Sequence, residues 1–193
     1  MPNLYIIAGC NGAGKTTASY IVLPQLFECK EFVNADNIAA GLSPFNPESV
    51  ALAAGRIMLE RVNVLMNEGV DFAFETTLST KSYVSLIAKA KAMGYTVTLL
   101  YFWLSSPEVA IERVAKRVSN GGHHIPDDVV KRRYYRGIKN LFNLYIPICD
   151  NWTIISNMDI KVKLVVEKVQ GSSRIILNDD IWKEINNQSN GDY

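Results

Sequence analysis

Short apolar runs and amphipathic segments alternate along the first 156 residues of the chain. The apolar runs have the length of buried strands and predict five of them, at 4–8, 32–34, 71–75, 95–104 and 152–156. The intervening segments have helical spacing and predict helices at about 14–27, 47–69, 80–94, 107–120 and 126–145. Repeated strand–helix alternation is the pattern of a parallel sheet with helices on both faces. The sequence therefore predicts an α/β fold with a five-stranded parallel sheet flanked by helices.

Two more β-prone runs follow near the C-terminus. Residues 164–169 and 174–177 flank a Gly-Ser-Ser turn, and this arrangement predicts a β-hairpin. A short amphipathic helix is expected over 179–185, so that hairpin and helix together occupy about 160–187. The chain has no internal repeat and no dividing linker, and its 193 residues match a single domain, 1–193.

Composition narrows the class of protein. With 48% hydrophobic residues and a net charge of +1 the chain is not expected to be disordered, and three cysteines are too few for a disulfide scaffold. No run of 18 apolar residues is present, and the first apolar run is too short for a signal peptide. We therefore expect a cytoplasmic protein without a membrane span.

Residues 9–16 carry the strongest chemical signal. They read Gly-Cys-Asn-Gly-Ala-Gly-Lys-Thr, a complete G-x-x-x-x-G-K-[ST] motif between a predicted strand and a predicted helix. Glycines let backbone N–H groups turn toward phosphate oxygens, the lysine reaches the terminal phosphates and the threonine ligates Mg²⁺. The motif predicts a P-loop NTPase whose nucleotide is bound by Gly9, Cys10, Asn11, Gly12, Ala13, Gly14, Lys15, Thr16 and Thr17, with Thr16 as the metal ligand.

The Cys10 thiol allows two interpretations. The neighbouring Lys15 and the helix N-terminus would lower its pKa and make it reactive. Alternatively, Cys10 is a small residue that fills a variable position of the loop, and this second interpretation is the one we favour.

Motifs of other P-loop classes are missing from the sequence. It has no apolar strand ending in aspartate, no Asn-Lys-x-Asp sequence that reads guanine and no Leu-Ser-Gly-Gly-Gln run of transporter ATPases. These gaps disfavour a GTPase and a transporter ATPase. A small kinase-like fold fits best.

Polar residues follow the second and third predicted strands. Asp36 stands where a carboxylate can accept the proton of a substrate hydroxyl, or it caps a helix beginning at about Asn37. Glu75, Thr76 and Thr77 end the third strand, where they can bind substrate hydroxyls or the water shell of magnesium. The alternative for Glu75 is a solvated side chain at a strand end.

Eight of the 20 basic residues lie between Arg113 and Lys139, opposed within that window only by Asp127 and Asp128. Arg113 and Arg117 share one helix face, and two guanidinium groups on one face can clamp a transferring phosphate. Residues 121–124 (Gly-Gly-His-His) have the character of a hinge, so about 107–137 is predicted to form a lid. The alternative is a solvated basic face. The near-neutral net charge makes nucleic acid an unlikely partner.

Taken together, three segments resemble the zeta-toxin family of P-loop kinases. They are residues 9–17, residues 34–36 (Asn-Ala-Asp) and residues 74–79 (Phe-Glu-Thr-Thr-Leu-Ser). Residues 113–118 and 121–126 are similar to the lid of the small stand-alone members, and the matching stretch covers about 4–135.

The resemblance implies a kinase that uses ATP and Mg²⁺ to phosphorylate the 3′-hydroxyl of the amino sugar in UDP-N-acetylglucosamine. It implies Asp36 as the catalytic base, Lys15 on phosphate, and Glu75 and Thr77 on the substrate, with an arginine pair drawn from Arg113, Arg117 and Arg133. An antitoxin protein is the partner implied by analogy.

This chain departs from the family pattern in the lid. The family's second arginine commonly precedes Thr-Pro, whereas residues 123–126 here read His-His-Ile-Pro. The alternatives to a nucleotide-sugar kinase are a kinase of another hydroxyl (nucleoside, dinucleotide or antibiotic) and an ATP-dependent switch or binding module.

Overall fold

One seven-stranded sheet organises the computed structural model, which describes residues 1–158 and 162–191. Its strands stand in the order β2-β3-β1-β4-β5-β6-β7. The first five in this order run parallel, and β6 and β7 are antiparallel additions at one edge. The strands are β1 Asn3–Gly9, β2 Glu31–Val33, β3 Phe72–Thr76, β4 Thr96–Trp103, β5 Asn151–Ser156, β6 Lys163–Lys168 and β7 Ile175–Ile176.

Helices connect the parallel strands. The described α-helices are α1 Lys15–Leu26, α2 Ala35–Leu42, α3 Ala51–Glu68, α4 Tyr83–Ala92, α5 Pro107–Ser119, α6 Asp127–Asn140 and α7 Asp179–Asn190. A 3₁₀ turn, Pro47–Val50, precedes α3, and a π-helical turn, Leu141–Tyr145, follows α6.

The predicted α/β class and the five parallel strands are confirmed, with one difference at the edge. The predicted hairpin exists, but it pairs with β5 through β6, so the sheet has seven strands instead of five. Residues 160 and 161 of the predicted hairpin segment lie outside the described residues. The prediction that a helix begins at residue 47 is also modified, because the first four residues form the 3₁₀ turn.

The core explains why β1 lies in the middle of the parallel strands. Leu4, Ile6 and Ile7 are buried, as expected for a strand covered by helices on both faces. β1 is bordered by β3 and β4, so the loop after β1 lies between the carboxyl ends of two neighbouring strands. In open α/β sheets, ligands bind in the crevice outside these carboxyl ends.

The C-terminal helix α7 is fastened by one side chain. Gln188 accepts hydrogen bonds from Trp103 Nε1 (3.0 Å) and Tyr134 Oη (3.1 Å), and it donates to the carbonyl of Ser105 (2.8 Å). Near the start of α7, Trp182 stacks on Trp152 of β5 with ring centroids 6.4 Å apart. The helix therefore covers one face of the sheet and also supports α6.

Helix α6 and the π-helical turn after it hold the loop that follows β3. Asn140 donates to the carbonyl of Leu78 (2.7 Å), and the Tyr145 hydroxyl donates to the carbonyl of Thr80. Leu78 is fully buried and has a φ of 55°, a left-handed conformation that is costly for a residue with a side chain. This loop is thus fixed by packing and hydrogen bonds from a distant element.

Among the residues that the structure describes, no helix combines the length and the apolar character needed to cross a bilayer.

Gly137→Ala should destabilise the protein by about 1–3 kcal/mol, because a Cβ there would lie 2.6 Å from the Thr77 carbonyl oxygen and would push α6 off the loop. The matched control is Gly55→Ala in α3, where a Cβ meets nothing within 4 Å and the substitution should stabilise by about 0.5–1 kcal/mol. Urea unfolding measures both free energies. Equal urea midpoints for the two variants would show that α6 does not lie close to the loop at Gly137.

Candidate active site

The loop after β1 is shaped by two glycines. Gly9 has a φ of 143° and a Cβ there would lie 2.3 Å from the Phe102 carbonyl oxygen, while at Gly12 (φ 79°) it would lie 2.8 Å from the Ala110 carbonyl oxygen. Neither position accepts a side chain. The loop can therefore pack against both β4 and α5, and it turns its open side away from them.

Lys15 is buried, with only 6% of its surface exposed. Its Nζ donates to the carbonyl of Cys10 (3.0 Å) and lies 3.4 Å from Glu75 Oε1. An ammonium group this well buried is retained only with partners. The loop thus places a cation at its centre, where phosphate oxygens would be bound.

Glu75 connects three elements of the fold. Its Oε2 accepts from Thr16 Oγ1 (2.7 Å) at the start of α1 and from Asn34 Nδ2 (2.8 Å) after β2, while Oε1 faces Lys15. The alternative of a solvated strand end is therefore wrong for Glu75, because its side chain is only 9% exposed and is bonded to the loop.

Asn34 is a site residue to which sequence reasoning assigned no role. It is the N-cap of α2: its Oδ1 accepts from the backbone N–H groups of Asp36 (2.8 Å) and Asn37 (3.3 Å). The interpretation of Asp36 as the cap is therefore wrong, because α2 begins at Ala35 and the preceding residue caps it. The sequence signals for Asn34 were a polar amide directly after a strand and its place in the Asn-Ala-Asp segment, 34–36.

Asp36 is left free to project from the first turn of α2. More than half of its side chain (55%) is exposed, and His123 Nε2 lies 4.0 Å from its Oδ2. A carboxylate placed in this way can contact a molecule bound at the loop.

Three cavities meet at Asp36. The loop cavity, of about 270 Å³, is lined by Asn11, Gly12, Gly14, Lys15, Thr16, Thr17, Asp36, Glu75, Arg113 and Arg117. The threonine cavity (about 220 Å³) includes Asp36, Glu75, Thr76, Thr77 and Thr80, and the outer cavity (about 360 Å³) includes Asp36, Ala39, Ile125, His123 and Arg132. Asp36 therefore faces the space above the loop and the two cavities beside it.

Not every predicted loop residue lines the loop cavity. Gly9, Cys10 and Ala13 are buried beneath it. They contribute backbone: the Cys10 carbonyl accepts from Lys15, and the Ala13 carbonyl accepts from Asn157 Nδ2 at 2.8 Å. Asn157, directly after β5, was missed by sequence reasoning, and its position at a strand end was the available signal.

The predicted arginines divide between the cavities. Arg113 donates to the Met158 carbonyl (3.2 Å) and Arg117 to the His123 carbonyl (3.0 Å), and both line the loop cavity. Arg133 donates to Asn11 Oδ1 (3.2 Å) and lines the other two. All three guanidinium groups therefore surround Asp36 and the loop.

Thr76 and Thr77, which the sequence predicted to contact a substrate, follow one another at the end of β3. Thr76 is buried and its Oγ1 accepts from the N–H of Leu78 (3.0 Å), whereas the Thr77 hydroxyl lies 2.9 Å from Ser79 Oγ. Both line the threonine cavity. The strained loop after β3 therefore presents hydroxyl groups toward Asp36.

The oxygen donors of the site suit a magnesium ion. Thr16 Oγ1 and Glu75 Oε2, 2.7 Å apart, are hard ligands at the edge of the phosphate space. The described residues contain no group of three or more His, Cys, Asp or Glu side chains that would hold a metal by themselves. Mg²⁺ commonly binds through one or two protein oxygens together with substrate phosphates.

Burial raises the pKa of the Cys10 thiol to about 11, and this effect outweighs the neighbouring Lys15. The interpretation of Cys10 as an activated thiolate is therefore wrong. Cys10 is a small residue packed under the loop.

The family model described as "Zeta toxin" matches residues 1–164. In addition, an uncharacterized protein of Haemophilus influenzae (strain Rd) is 32% identical over 126 residues, which cover 65% of this chain and 88% of that protein.

Solved structures with the same fold include a chain of the AvrRxo1-ORF1:-ORF2 structure with ATP, at a TM-score of 0.79 and 18% identity over 96% of this chain. This chain spans only 63% of that longer one. A chain of the PezAT chromosomal toxin–antitoxin system of Streptococcus pneumoniae has a TM-score of 0.64 at 16% identity, with 98% and 86% of the two chains covered.

All three thiols should resist labelling in the folded protein. Burial raises the pKa of Cys10 and Cys29 to about 11 and that of Cys149 to about 12, so the thiolate fraction at pH 8 is about 10⁻³ or less. Titration with a thiol-reactive dye at pH 8 should give no rapid reaction until guanidinium unfolds the protein. Fast labelling of one thiol in the native protein would contradict the burial.

Proposed function

The chain belongs to the zeta toxin family, and from this premise we propose that it is an ATP-dependent phosphotransferase whose acceptor is a hydroxyl of a small molecule. One observation carries the proposal: Asp36 is shared between the loop cavity and two cavities beside it. A carboxylate between a triphosphate site and a second-substrate site is positioned to act as a general base.

ATP is the proposed phosphate donor, and its phosphates occupy the loop cavity. The Lys15 ammonium exchanges its bond to the Cys10 carbonyl for the terminal phosphates, and Arg113 and Arg117 face the same space. When bound at Thr16, with Glu75 beside it, Mg²⁺ would neutralise charge on the phosphate oxygens. The ATP in the similar AvrRxo1 structure supports this choice of donor.

Asp36 is the proposed base. The acceptor oxygen forms a bond to the γ-phosphorus while the bond from that phosphorus to the leaving oxygen of ADP breaks, and the hydroxyl proton passes to the Asp36 carboxylate. Positive charge around the transferring group stabilises the transition state, and Lys15, Arg113, Arg117 and Arg133 supply it.

The acceptor we propose is a nucleotide-sugar such as UDP-N-acetylglucosamine, as in the family. Hydroxyls of Thr76 and Thr77 and the Glu75 carboxylate border the threonine cavity and suit sugar hydroxyls. The outer cavity combines an apolar lining with Arg132 and Arg133, which suits a base and its phosphates. The alternative acceptors are a nucleoside, a dinucleotide or an antibiotic.

A protein antitoxin is the proposed macromolecular partner, since the PezAT structure comes from a toxin–antitoxin system. With three free, buried thiols, the cytoplasm is the proposed compartment.

Asp36→Ala should lower phosphoryl transfer by about 10²–10⁴-fold, because the acceptor proton loses its base, while the Kd for Mg·ATP changes little. Incorporation of labelled phosphate into the acceptor measures turnover, and calorimetry measures nucleotide binding. Glu60→Gln is the matched control, since it neutralises an exposed carboxylate of α3 that lines none of the three cavities, and it should match the wild type. Full activity of Asp36→Ala would remove Asp36 from the mechanism.

Lys15→Met should instead abolish Mg·ATP binding at concentrations where the wild type is saturated, since the buried ammonium is the cation at the centre of the loop. The same calorimetric titration tests this, and circular dichroism verifies the fold of the variant. Unchanged affinity would locate the nucleotide elsewhere.

Acceptor identity is tested by incubating the protein with γ-labelled ATP and a panel led by UDP-N-acetylglucosamine. We expect the label on the sugar ring of the nucleotide-sugar, so that it remains on the sugar after the uridine diphosphate has been cleaved off. Label on a nucleoside or antibiotic alone would select an alternative acceptor. Rapid release of phosphate with no labelled acceptor, beyond the slow hydrolysis expected of a kinase, would favour a switch module.

A further inference from the structure

His123 lies where the predicted lid segment, 107–137, faces the first turn of α2. It lies in the connection between α5 and α6, lines the outer cavity, and has a side chain that is 24% exposed. Its Nε2 is 4.0 Å from Asp36 Oδ2 and 3.4 Å from an amino group of Arg117. The ring therefore stands between the proposed base and an arginine of the loop cavity.

Charged groups from four elements face this imidazole. They are Arg117 of α5, Asp36 of α2, Glu48 of the 3₁₀ turn and Arg133 of α6. Burial, followed by Arg117, lowers the pKa of His123, whereas Asp36 and Glu48 oppose that shift. Burial and Arg117 therefore favour the neutral ring, which takes part in hydrogen bonds through one protonated and one unprotonated nitrogen.

Arg117 is held by the same connection. Its amino group donates to the His123 carbonyl (3.0 Å) and approaches Nε2, and a Cβ at Gly122 would lie 2.6 Å from its Cγ. Its Nε is buried without a hydrogen-bond partner among the described residues. An unsatisfied buried donor on a residue that lines the loop cavity favours release of Arg117 toward an incoming anion.

We propose that His123 is a positioning residue for Asp36: in the empty site its Nε2 accepts from Arg117, and when Arg117 turns to the nucleotide phosphates, Nε2 carries a proton and donates to Asp36 Oδ2. This inference rests on the proposed kinase function. The exchange leaves the other carboxylate oxygen free for the acceptor hydroxyl, so the base is oriented only when the donor nucleotide is bound.

The chemistry requires only a change of tautomer. An imidazole that accepts at Nε2 has its proton on Nδ1, and one that donates at Nε2 has lost the Nδ1 proton, with solvent exchanging the two. The 4.0 Å separation shortens to a hydrogen bond by a small movement of either side chain.

The chain is well suited to a direct test because it has only two histidines, His123 and His124, of which His124 is exposed. Long-range ¹H–¹⁵N spectra of the full chain report which ring nitrogen of each is protonated. We expect that adding the non-hydrolysable analogue Mg·AMPPNP moves the proton of His123 from Nδ1 to Nε2 and leaves the His124 signals unchanged. A His123 tautomer that is the same with and without the analogue would overturn the proposal.

Two variants separate the steps. Arg117→Ala should show the Nε2-protonated form without nucleotide, since the donor to Nε2 is gone. Asp36→Ala should bind the analogue yet leave Nε2 unprotonated, since the acceptor is gone. If Asp36→Ala still shifts the tautomer on binding, the nitrogen responds to the phosphates themselves and the link to Asp36 is wrong.

Turnover gives a second readout through slow ATP hydrolysis, with water in place of the acceptor. His123→Ala should lower kcat by about 10²-fold with KM for ATP within about twofold, the pattern of a misplaced base, while His123→Gln, which can also accept and donate, recovers part of the rate. His124→Ala is the matched control and should match the wild type. A normal kcat in His123→Ala together with an inactive Asp36→Ala would contradict this inference alone. A fully active Asp36→Ala would contradict the kinase proposal itself.

Discussion

The site depends on one buried carboxylate. Glu75 reaches from β3 to the hydroxyl at the start of α1, to the amide that caps α2 and to the ammonium in the loop. These groups come from the segments that follow or end three neighbouring parallel strands, so a single side chain ties them together. A charge with so little exposure persists only because each oxygen has a partner.

This network also explains why Asp36 is available. Because Asn34 both caps α2 and donates to Glu75, the two carboxylates have opposite environments. Glu75 is enclosed and hydrogen-bonded, whereas Asp36 is half exposed and lies 4.0 Å from His123 Nε2. Glu75 organises the loop, and Asp36 remains accessible to a bound molecule. Both are acidic residues near strand ends, so the difference between them comes from the surroundings of each side chain and not from its chemical type.

The α5–α6 segment completes the site from the other side. Arg113 and Arg117 enter the loop cavity from α5, while Arg133 of α6 binds Asn11 of the loop itself. Helix α6 also fixes the strained loop after β3 through Gly137 and Asn140. The same helix therefore contacts both the loop after β1 and the loop after β3, so its packing affects both sides of the candidate site.

The sequence was sufficient to predict those site residues whose positions follow from the order of the strands along the chain. Parallel strands bring their carboxyl ends to one edge, so the loop residues, Asp36 and Glu75 could be expected together. It was insufficient where two neighbouring residues can play one role, as with Asn34 and Asp36 at the cap, or where pairing is set by tertiary contacts, as with the edge strand β6. The sequence also did not show which of the two adjacent histidines faces the site. The structure places His123 in the outer cavity, whereas His124 is exposed.

The most direct measurement is a crystal structure of the chain with Mg·AMPPNP. We expect the triphosphate to lie in the loop with its γ-phosphate facing the Asp36 carboxylate across a gap that accommodates one hydroxyl group, and with Arg117 turned onto the phosphates. An analogue bound away from the loop, or an Asp36 side chain directed into bulk solvent with the analogue in place, would contradict the proposed phosphoryl transfer.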